Sequence, residues 1–185
     1  MPGPSSRPIR IGQSVAAQNA GAAARGRLEK KKTREFLYST LQQLDEHKHR
    51  ALAAILIIQY SDTPSQLIQQ GLKALCKIIG NILENPAETK FRKIRLNNKV
   101  FTEQVAGLEG AREFLEGVGF QLQNAKNDAG KLEDFWIMAE EDTDTELLSR
   151  TLDELRDTTS TIIERDDSLA VSENKNPSEE VIVID

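Results

Sequence analysis

The sequence predicts an α+β protein, a helical domain with a small antiparallel β-sheet, flanked by disordered or helical tails. Apolar residues recur at helical spacing in several stretches, and short strand-like segments lie between them in the middle of the chain. The distribution of charge also divides the chain, into a basic N-terminal part, a balanced middle and an acidic C-terminal part. Residues 1–34 carry eight Lys/Arg and one Glu, whereas residues 139–185 carry four basic and fifteen acidic side chains. Oppositely charged ends around a balanced centre indicate solvated tails on a globular domain.

The N-terminal tail is basic and poor in residues that a core could bury. Residues 1–24 are rich in Pro, Gly, Ser, Gln and Ala, so we expect disorder there. Residues 25–44 are predicted to be a helical lead-in, because apolar residues then recur three, four or seven positions apart. The basic cluster Lys30–Arg34 lacks the interleaved aromatic side chains of a nucleic-acid site, so we expect no nucleic-acid partner.

A second helical segment has clear boundaries. Thr63-Pro64-Ser65-Gln66 has the spacing of a capping box with proline at the first helical position, and Asn85-Pro86 ends the helix. Cys76 lies within the apolar stripe of this helix, and we interpret it as a buried, inert thiol.

The periodicity shortens after Pro86. Residues 88–93 suggest a brief helical turn, and residues 94–101 suggest a hairpin that turns at Asn97-Asn98. A short helix follows over Gly110–Gly117, and Gly117 or Gly119 would supply its left-handed exit. Residues 120–122 and 135–138 are predicted to be two further strands, with the core closing around Trp136.

The acidic end contains one more helix. Residues 141–165 have an apolar stripe opened by the capping pattern Thr143–Glu146, and this stripe packs on the domain or forms a coiled-coil seam. Residues 166–185 are predicted to be a disordered tail. Its last apolar residues, Val181, Ile182, Val183 and Ile184, follow two glutamates and resemble a SUMO-interacting motif. The alternative is a strand or frayed tail that packs on the domain.

Several functional classes have no support in the sequence. There is no glycine-rich phosphate loop, no Cys/His array for zinc and no nucleophile motif, so we expect neither an enzyme, a cofactor nor a metal. The longest apolar run, residues 51–58, is far shorter than the roughly 20 residues that cross a bilayer. With no secretory signal and a single cysteine, a cytosolic or nuclear protein is expected.

The block from Asn81 to Gln121 contains a series of spaced motifs. These are an Asn-Ile-Leu helix end, Asn-Pro, Glu-x-Lys-aromatic-Arg-x-Ile-Arg-Leu, Asn-Lys-Val-Phe, Leu-Glu-Gly and a terminal Gly-Phe. In this the chain resembles the PUB (PUG) domain, and most closely the PUB domain of UBX-type adaptors. The resemblance covers roughly residues 45–140, which we predict to be the domain. Neither a transglutaminase-like core nor a UBX segment is found, so glycanase activity is not implied.

The resemblance implies a peptide-binding adaptor. PUB domains bind the acidic C-terminal tail of the valosin-containing AAA ATPase, whose penultimate tyrosine enters a pocket, in ubiquitin-linked protein quality control. Matched to the family motif, the peptide-binding residues would be Asn81, Lys90, Phe91, Arg95, Leu96, Asn98, Phe101, Gly119 and Phe120. Lys90, Arg92, Lys93, Arg95 and Lys99 would form a basic patch around this pocket.

Each assignment has a structural alternative. Phe91, Leu96, Phe101 and Phe120 line the pocket or belong to the core, and Asn81 contacts a ligand or caps local backbone. Two other functions also fit the sequence. One is a scaffold that self-associates through its C-terminal helix, and the other is a PUB module for a different acidic peptide with an aromatic anchor. SUMO or another ubiquitin-like protein would be a second partner, and no membrane partner is expected.

Overall fold

The computed structural model describes residues 15–44, 47–127 and 129–173, and the side chains of 18–44, 49–127 and 129–166. The elements in chain order are α1 (Val15–Leu41), α2 (His47–Gln59), α3 (Ser65–Glu84), a 3₁₀ turn (Thr89–Arg92), β1 (Lys93–Arg95), α4 (Lys99–Gln104), α5 (Ala111–Gly117), β2 (Phe120–Lys126), β3 (Leu132–Met138) and α6 (Thr145–Glu173). The predicted fold class, α+β with a small antiparallel sheet, is confirmed.

The sheet has three strands in the order β1-β3-β2, and both pairs are antiparallel. Trp136 of the central strand lies opposite Ile94 of β1 and Leu122 of β2. Trp136 is only 6% exposed and belongs to the main core, as predicted. The β2–β3 hairpin is longer than the two predicted strands. Its distal half, beyond Leu122, is mostly exposed and lacks the apolar pattern from which a strand can be predicted.

The predicted hairpin over residues 94–101 is wrong. Only β1 is a strand, and its partner is β3 of the distant hairpin. Asn98 instead begins α4, because its side-chain oxygen accepts a hydrogen bond from the Phe101 N–H at 3.1 Å. Asparagine serves both in turns and as a helix N-cap, so the Asn97-Asn98 pair did not distinguish the two structures.

Two helix starts also differ from the capping-box predictions. Pro64 is the N-cap of α3, without a side-chain cap, and its carbonyl accepts from the N–H groups of Leu67 and Ile68. For α6 the capping side chain is Asp144, whose Oδ1 accepts from the Leu147 N–H at 2.9 Å. The predicted end of α3 at Asn85 is confirmed.

The two ends of the chain are more helical than predicted. The predicted disorder of residues 1–24 is wrong for residues 15–24, which belong to α1, and residues 1–14 lie outside the described residues. Alanine is the strongest helix former, so this Ala-rich stretch continues the helix backward from its packed end. Likewise residues 166–173, predicted to be disordered, continue α6.

α6 packs on α3, which decides between the two alternatives for its apolar stripe. Its buried leucines and Ile162 belong to the same core cluster as the apolar stripe of α3. The helices run antiparallel, since Gln69 near the start of α3 donates to Asp166 near the end of α6 at 3.1 Å. The folded unit therefore includes α6 through Ile162, beyond the domain end predicted at residue 140.

Candidate functional site

A groove of about 530 Å³ lies between α3 and the segment that runs from β1 into α4. We call it the α3–α4 groove. Its wall on α3 and its wall on β1 and α4 both contain polar and apolar side chains. The lining residues are Lys73, Ala74, Lys77, Ile78, Asn81, Ile94, Asn98, Val100, Phe101, Gln104 and Val105.

The α3 wall follows from helix geometry. Lys73, Lys77 and Asn81 are spaced i, i+4 and i+8, so they form one polar row along the helix, and Ala74 and Ile78 form the apolar row beside it. The core stripe of α3 points the other way. Within the described residues, neither lysine makes an ion pair with a carboxylate of this chain. Two ammonium groups therefore border an apolar groove without an acidic partner in the described chain.

The opposite wall is built from β1 and α4. Ile94 projects from the strand into the groove, and the Asn98 cap fixes the start of α4 beside it. Phe101 is 5% exposed at the base of this wall, whereas Val100 is 53% exposed at its edge. An exposed β-branched side chain next to a buried aromatic ring leaves apolar surface available to a ligand.

The predicted basic patch is not a free positive surface. Arg92 is 6% exposed, donates to the Pro86 carbonyl at 2.7 Å and pairs with Glu140 at 3.1 Å. Lys90 pairs with Glu88 at 3.1 Å, and Lys99 lies 3.9 Å from Glu103. Carboxylates of this chain thus lie beside three of the cations that the sequence placed at the peptide site.

Arg95 and Lys93 lie on the face of β1 opposite to Ile94, because side chains alternate along a strand. Both cations sit over the ring of Phe135, Lys93 Nζ at 4.1 Å and the Arg95 guanidinium at 5.9 Å from its centroid. Arg95 also pairs with Glu133 at 3.1 Å. The groove and the Arg95 side chain therefore lie on different faces of this strand.

Three of the nine predicted peptide-binding residues come together in the groove: Asn81, Asn98 and Phe101. Phe91 and Leu96 are half-buried against the core, and Lys90 borders a separate depression beside the 3₁₀ turn. Gly119, with a φ of 104°, and the buried Phe120 line another depression at the start of β2. The left-handed exit predicted for α5 is therefore at Gly119.

The lysines of the groove were not among the predicted site residues. Lys73 and Lys77 lie before the block that resembles the family, on a helix whose apolar stripe carries the stronger pattern. Their spacing relative to Asn81 was a readable signal, since i, i+4 and i+8 share a helix face. Val100 and Gln104 carried no comparable signal, because α4, the helix that holds them, was not predicted from the local pattern.

Two kinds of reactive group are relevant to the described residues, a metal-binding cluster and an activated thiol. No group of three His, Cys, Asp or Glu side chains in them could hold a metal ion. Burial raises the pKa of the Cys76 thiol, which disfavours the nucleophilic thiolate. In the same residues no helix combines the length and apolarity that spanning a membrane requires. Val181–Ile184, the possible SUMO-interacting residues, lie outside the described residues.

Comparison with known proteins finds one family model and several relatives that are similar to part of this chain. The PUB domain family model matches residues 65–151, from the start of α3 into α6. UBX domain-containing protein 6 of Caenorhabditis elegans is 37% identical over 95 residues, 51% of this chain and 22% of that protein. The human protein of that name is 36% identical over 89 residues, 48% of this chain and 20% of that protein. The Arabidopsis thaliana Plant UBX domain-containing protein 2 is 30% identical over 74 residues, 40% of this chain and 16% of that protein.

The PUB domain match and the UBX domain-containing relatives support a protein-interaction adaptor role for this α+β domain. The PUB domain family model matches residues 65–151, and about half of the chain is similar to UBX domain-containing proteins. The chain spans only about a fifth of the length of these curated relatives.

Proposed function

We propose that this chain is a non-enzymatic adaptor that captures the acidic C-terminal tail of the valosin-containing AAA ATPase in the α3–α4 groove. One observation carries the proposal: Lys73 and Lys77 border an apolar groove and have no ion-pair partner in the described chain. An acidic peptide with one aromatic side chain complements both features.

The groove suggests an orientation for the peptide. Its aromatic ring would pack against Ile78, Ile94 and Phe101, where apolar side chains of both walls meet. Its acidic residues would lie near Lys73 and Lys77, which precede Ile78 on α3 by five residues and by one. Asn81 and Asn98 supply amide groups for the peptide backbone between these two parts.

A groove of this kind gives a modest affinity. The lysines are on the surface, where charge attraction is weakened by salt, and a single aromatic ring supplies most of the apolar contact. We therefore expect a dissociation constant in the micromolar range. An adaptor with such a contact gains avidity from a second interaction, and the segment Val181–Ile184, as a contact for SUMO or another ubiquitin-like protein, is our candidate.

Calorimetric titration of the full chain tests the proposal. The probe is a short acidic peptide with a penultimate tyrosine, measured at two salt concentrations. We expect binding that weakens several-fold at the higher salt concentration, since the contact pairs carboxylates with exposed lysines. A peptide phosphorylated on this tyrosine should not bind, because the dianion would have to enter an apolar groove.

Either of two results would overturn the proposal. One is no binding by a chain that is folded by circular dichroism. The other is equal affinity for the phosphorylated and unmodified peptides, which would place the aromatic ring outside the groove. The proposed setting is ubiquitin-linked quality control in the cytosol or nucleus.

A further inference from the structure

The strand β2 lies at an open edge of the sheet. Within the described residues the sheet order is β1-β3-β2, so β3 pairs with one side of β2 and no strand pairs with the other. β1, at the opposite edge, has only three residues, which leaves little backbone for a partner. β2 has seven residues, Phe120–Lys126, and its pairing with β3 runs through all of them without a bulge. A long regular edge of this kind can pair with a further strand.

β2 lacks the side chains that commonly protect an edge strand. Charged residues, proline and bulges prevent edge-to-edge pairing in most sheets. From Phe120 to Ala125 the strand has no charged residue and no proline, and a single charge follows at Lys126. Leu122 is 49% exposed, so a neighbouring strand would cover a large apolar side chain.

The hydrogen bonds of the hairpin show which backbone groups of β2 point to the open edge. At the turn, the Asn127 N–H donates to the Lys131 carbonyl at 2.8 Å. Hydrogen-bonded and non-hydrogen-bonded pairs alternate along an antiparallel ladder. The backbone groups of Gln123 therefore point to β3, and those of Leu122 and Asn124 point to the open edge.

Asp134 provides an independent check of this alternation. It lies opposite Asn124 on β3, and its carbonyl accepts a hydrogen bond from the Leu96 N–H, beyond β1, at 3.1 Å. The Asp134 carbonyl therefore points away from β2. Asn124 and Asp134 are thus a non-hydrogen-bonded pair, as the turn predicts, and the Asn124 N–H is directed to the open edge.

An acidic depression lies at the start of β2, at the opposite end of the strand from Lys126. Glu116, Phe120, Asp142 and Asp144 are among its lining residues, and no lysine or arginine is among the described residues that line it. Asp142 and Asp144 have no ion-pair partner in the described part of the chain. β2 therefore has a cation at one end, an uncharged middle and carboxylates beside the other end.

We propose that two copies of this chain pair edge to edge through β2, antiparallel, about a twofold axis at Gln123. Leu122 of each copy then lies opposite Asn124 of the other, and the outward backbone groups form about eight hydrogen bonds. Lys126 of each copy lies opposite Phe120 of the other, beside the acidic depression. A strand with opposite charges at its two ends complements a second copy of itself in this direction, and a twofold axis repeats each contact.

The pairing is weak and separate from the α3–α4 groove. A seven-residue edge buries less than the roughly 1,200 Å² of a standard interface, so we expect a dissociation constant of the order of 100 µM. No groove-lining residue belongs to β2, so the inference does not depend on the proposed function. A pair of chains presents two grooves, which raises avidity for a partner that carries several peptide tails.

Sedimentation velocity of the full chain, from about 10 µM to about 1 mM, tests the pairing in three proteins. They are the wild type, Asn124→Pro and Asn124→Ala. Both variants lose the side-chain hydrogen bond to Asp134, but only proline also removes the N–H at the open edge. This N–H does not bond to β3, so an edge proline is tolerated and circular dichroism should show a folded chain. We expect Asn124→Pro to weaken the pairing at least about tenfold and Asn124→Ala by less than about threefold.

A charge variant tests the ends of the strand without changing the backbone. Lys126→Glu places a carboxylate beside the acidic depression of the second copy, and we expect it to weaken the pairing at least about tenfold. Lys131→Glu makes the same change of net charge at the exposed turn and should weaken it by less than about twofold.

Amide hydrogen exchange at low and high protein concentration locates the contact. The amides of Leu122 and Asn124 should become protected as concentration rises, whereas that of Gln123 is protected throughout by its bond to β3. A chain that stays monomeric up to about 1 mM overturns the proposal. Self-association that is equal in Asn124→Pro and Asn124→Ala, or that leaves Leu122 and Asn124 unprotected, also overturns it because the contact then lies elsewhere.

Discussion

Single side chains determine which groups of this domain remain available to a partner. The sequence placed five cations at the site, but the structure neutralises or buries Arg92 and Arg95 and leaves Lys73 and Lys77 at the groove. This difference arises because Glu140 and Glu133, the partners of those arginines, are about forty residues away in the chain. A motif of contiguous residues does not contain such long-range ion pairs.

Asn98 offers a test of one residue-scale assignment. Replacing it with Ala removes the oxygen that accepts from the Phe101 N–H, so we expect a loss of about 1 kcal/mol in the free energy of unfolding. Asn98→Ser keeps a hydroxyl acceptor at the cap and should retain most of the stability. Urea denaturation measures both. Equal losses for Ala and Ser would show that the side chain does not act as a cap.

Tyr38 gives a pH-dependent prediction. Burial between α1 and α2, followed by the nearby charges of Glu113 and Glu109, raises the pKa of its phenol to about 12. The folded state then holds the proton more tightly than the unfolded state, so stability is lost as the pH rises from about 10 through 12. Absorbance at 295 nm follows tyrosinate formation.

In the Tyr38→Phe variant the late step of that titration should be missing, and less stability should be lost between pH 10 and 12. A Tyr38 titration with its midpoint near pH 10 would contradict the partly buried position of this phenol.

At the scale of elements, local pattern was sufficient for most helices and for the β2–β3 hairpin, but not for the region between α3 and α5. The apolar stripe of α3 recurs at helical spacing over 20 residues, so the local sequence is enough to predict the helix. The strand β1 has only three residues, and it is a strand because it pairs with the distant β3. The start of α4 was ambiguous for the same reason. Those two short elements form a groove wall, so the candidate site was less predictable than the fold.

Gly71 controls how closely α3 and α4 approach, and hence the shape of the groove. A Cβ there would lie 2.6 Å from Leu108 Cδ2 and 2.7 Å from the Gln104 carbonyl oxygen, and the backbone atom cannot move freely. We expect Gly71→Ala to lower the free energy of unfolding by about 1–3 kcal/mol, measured in urea.

Gly80 is the matched control on the same helix. No atom lies within 4 Å of a Cβ placed there, so Gly80→Ala should stabilise the protein by about 0.5–1 kcal/mol through helix propensity. A neutral or stabilising Gly71→Ala would show that the two helices are not in close contact.

For the whole molecule, α6 is part of the domain and not an appended tail. From the sequence, the apolar stripe of α6 could pack on the domain or mediate self-association, because a narrow row of leucines is compatible with both arrangements. In the structure α6 packs on the domain, since Leu148 and Leu155 are fully buried in the main core. The sequence alone could not supply the complementary surface, which is assembled from α2 and α3.

Leu155→Ala tests this arrangement. Removing a fully buried leucine from a shared core should lower the free energy of unfolding by about 2–5 kcal/mol, in a single cooperative transition. Glu154→Ala, at the exposed neighbouring position, should change it by less than about 0.5 kcal/mol. A small effect of Leu155→Ala, or a separate early transition for α6, would contradict a common core.

We propose the α3–α4 groove, with Lys73 and Lys77 at its border, as the peptide-binding site. The most direct measurement is the affinity of the full chain for an acidic peptide with a penultimate tyrosine, determined for wild type, Lys77→Glu and Lys126→Glu. Lys126 is an exposed lysine at the end of β2, so its variant makes the same charge change away from the groove. We predict a loss of affinity of at least about tenfold for Lys77→Glu and less than about twofold for Lys126→Glu. Equal losses for both variants would mean that only net charge matters, and an unaffected Lys77→Glu would place the site elsewhere.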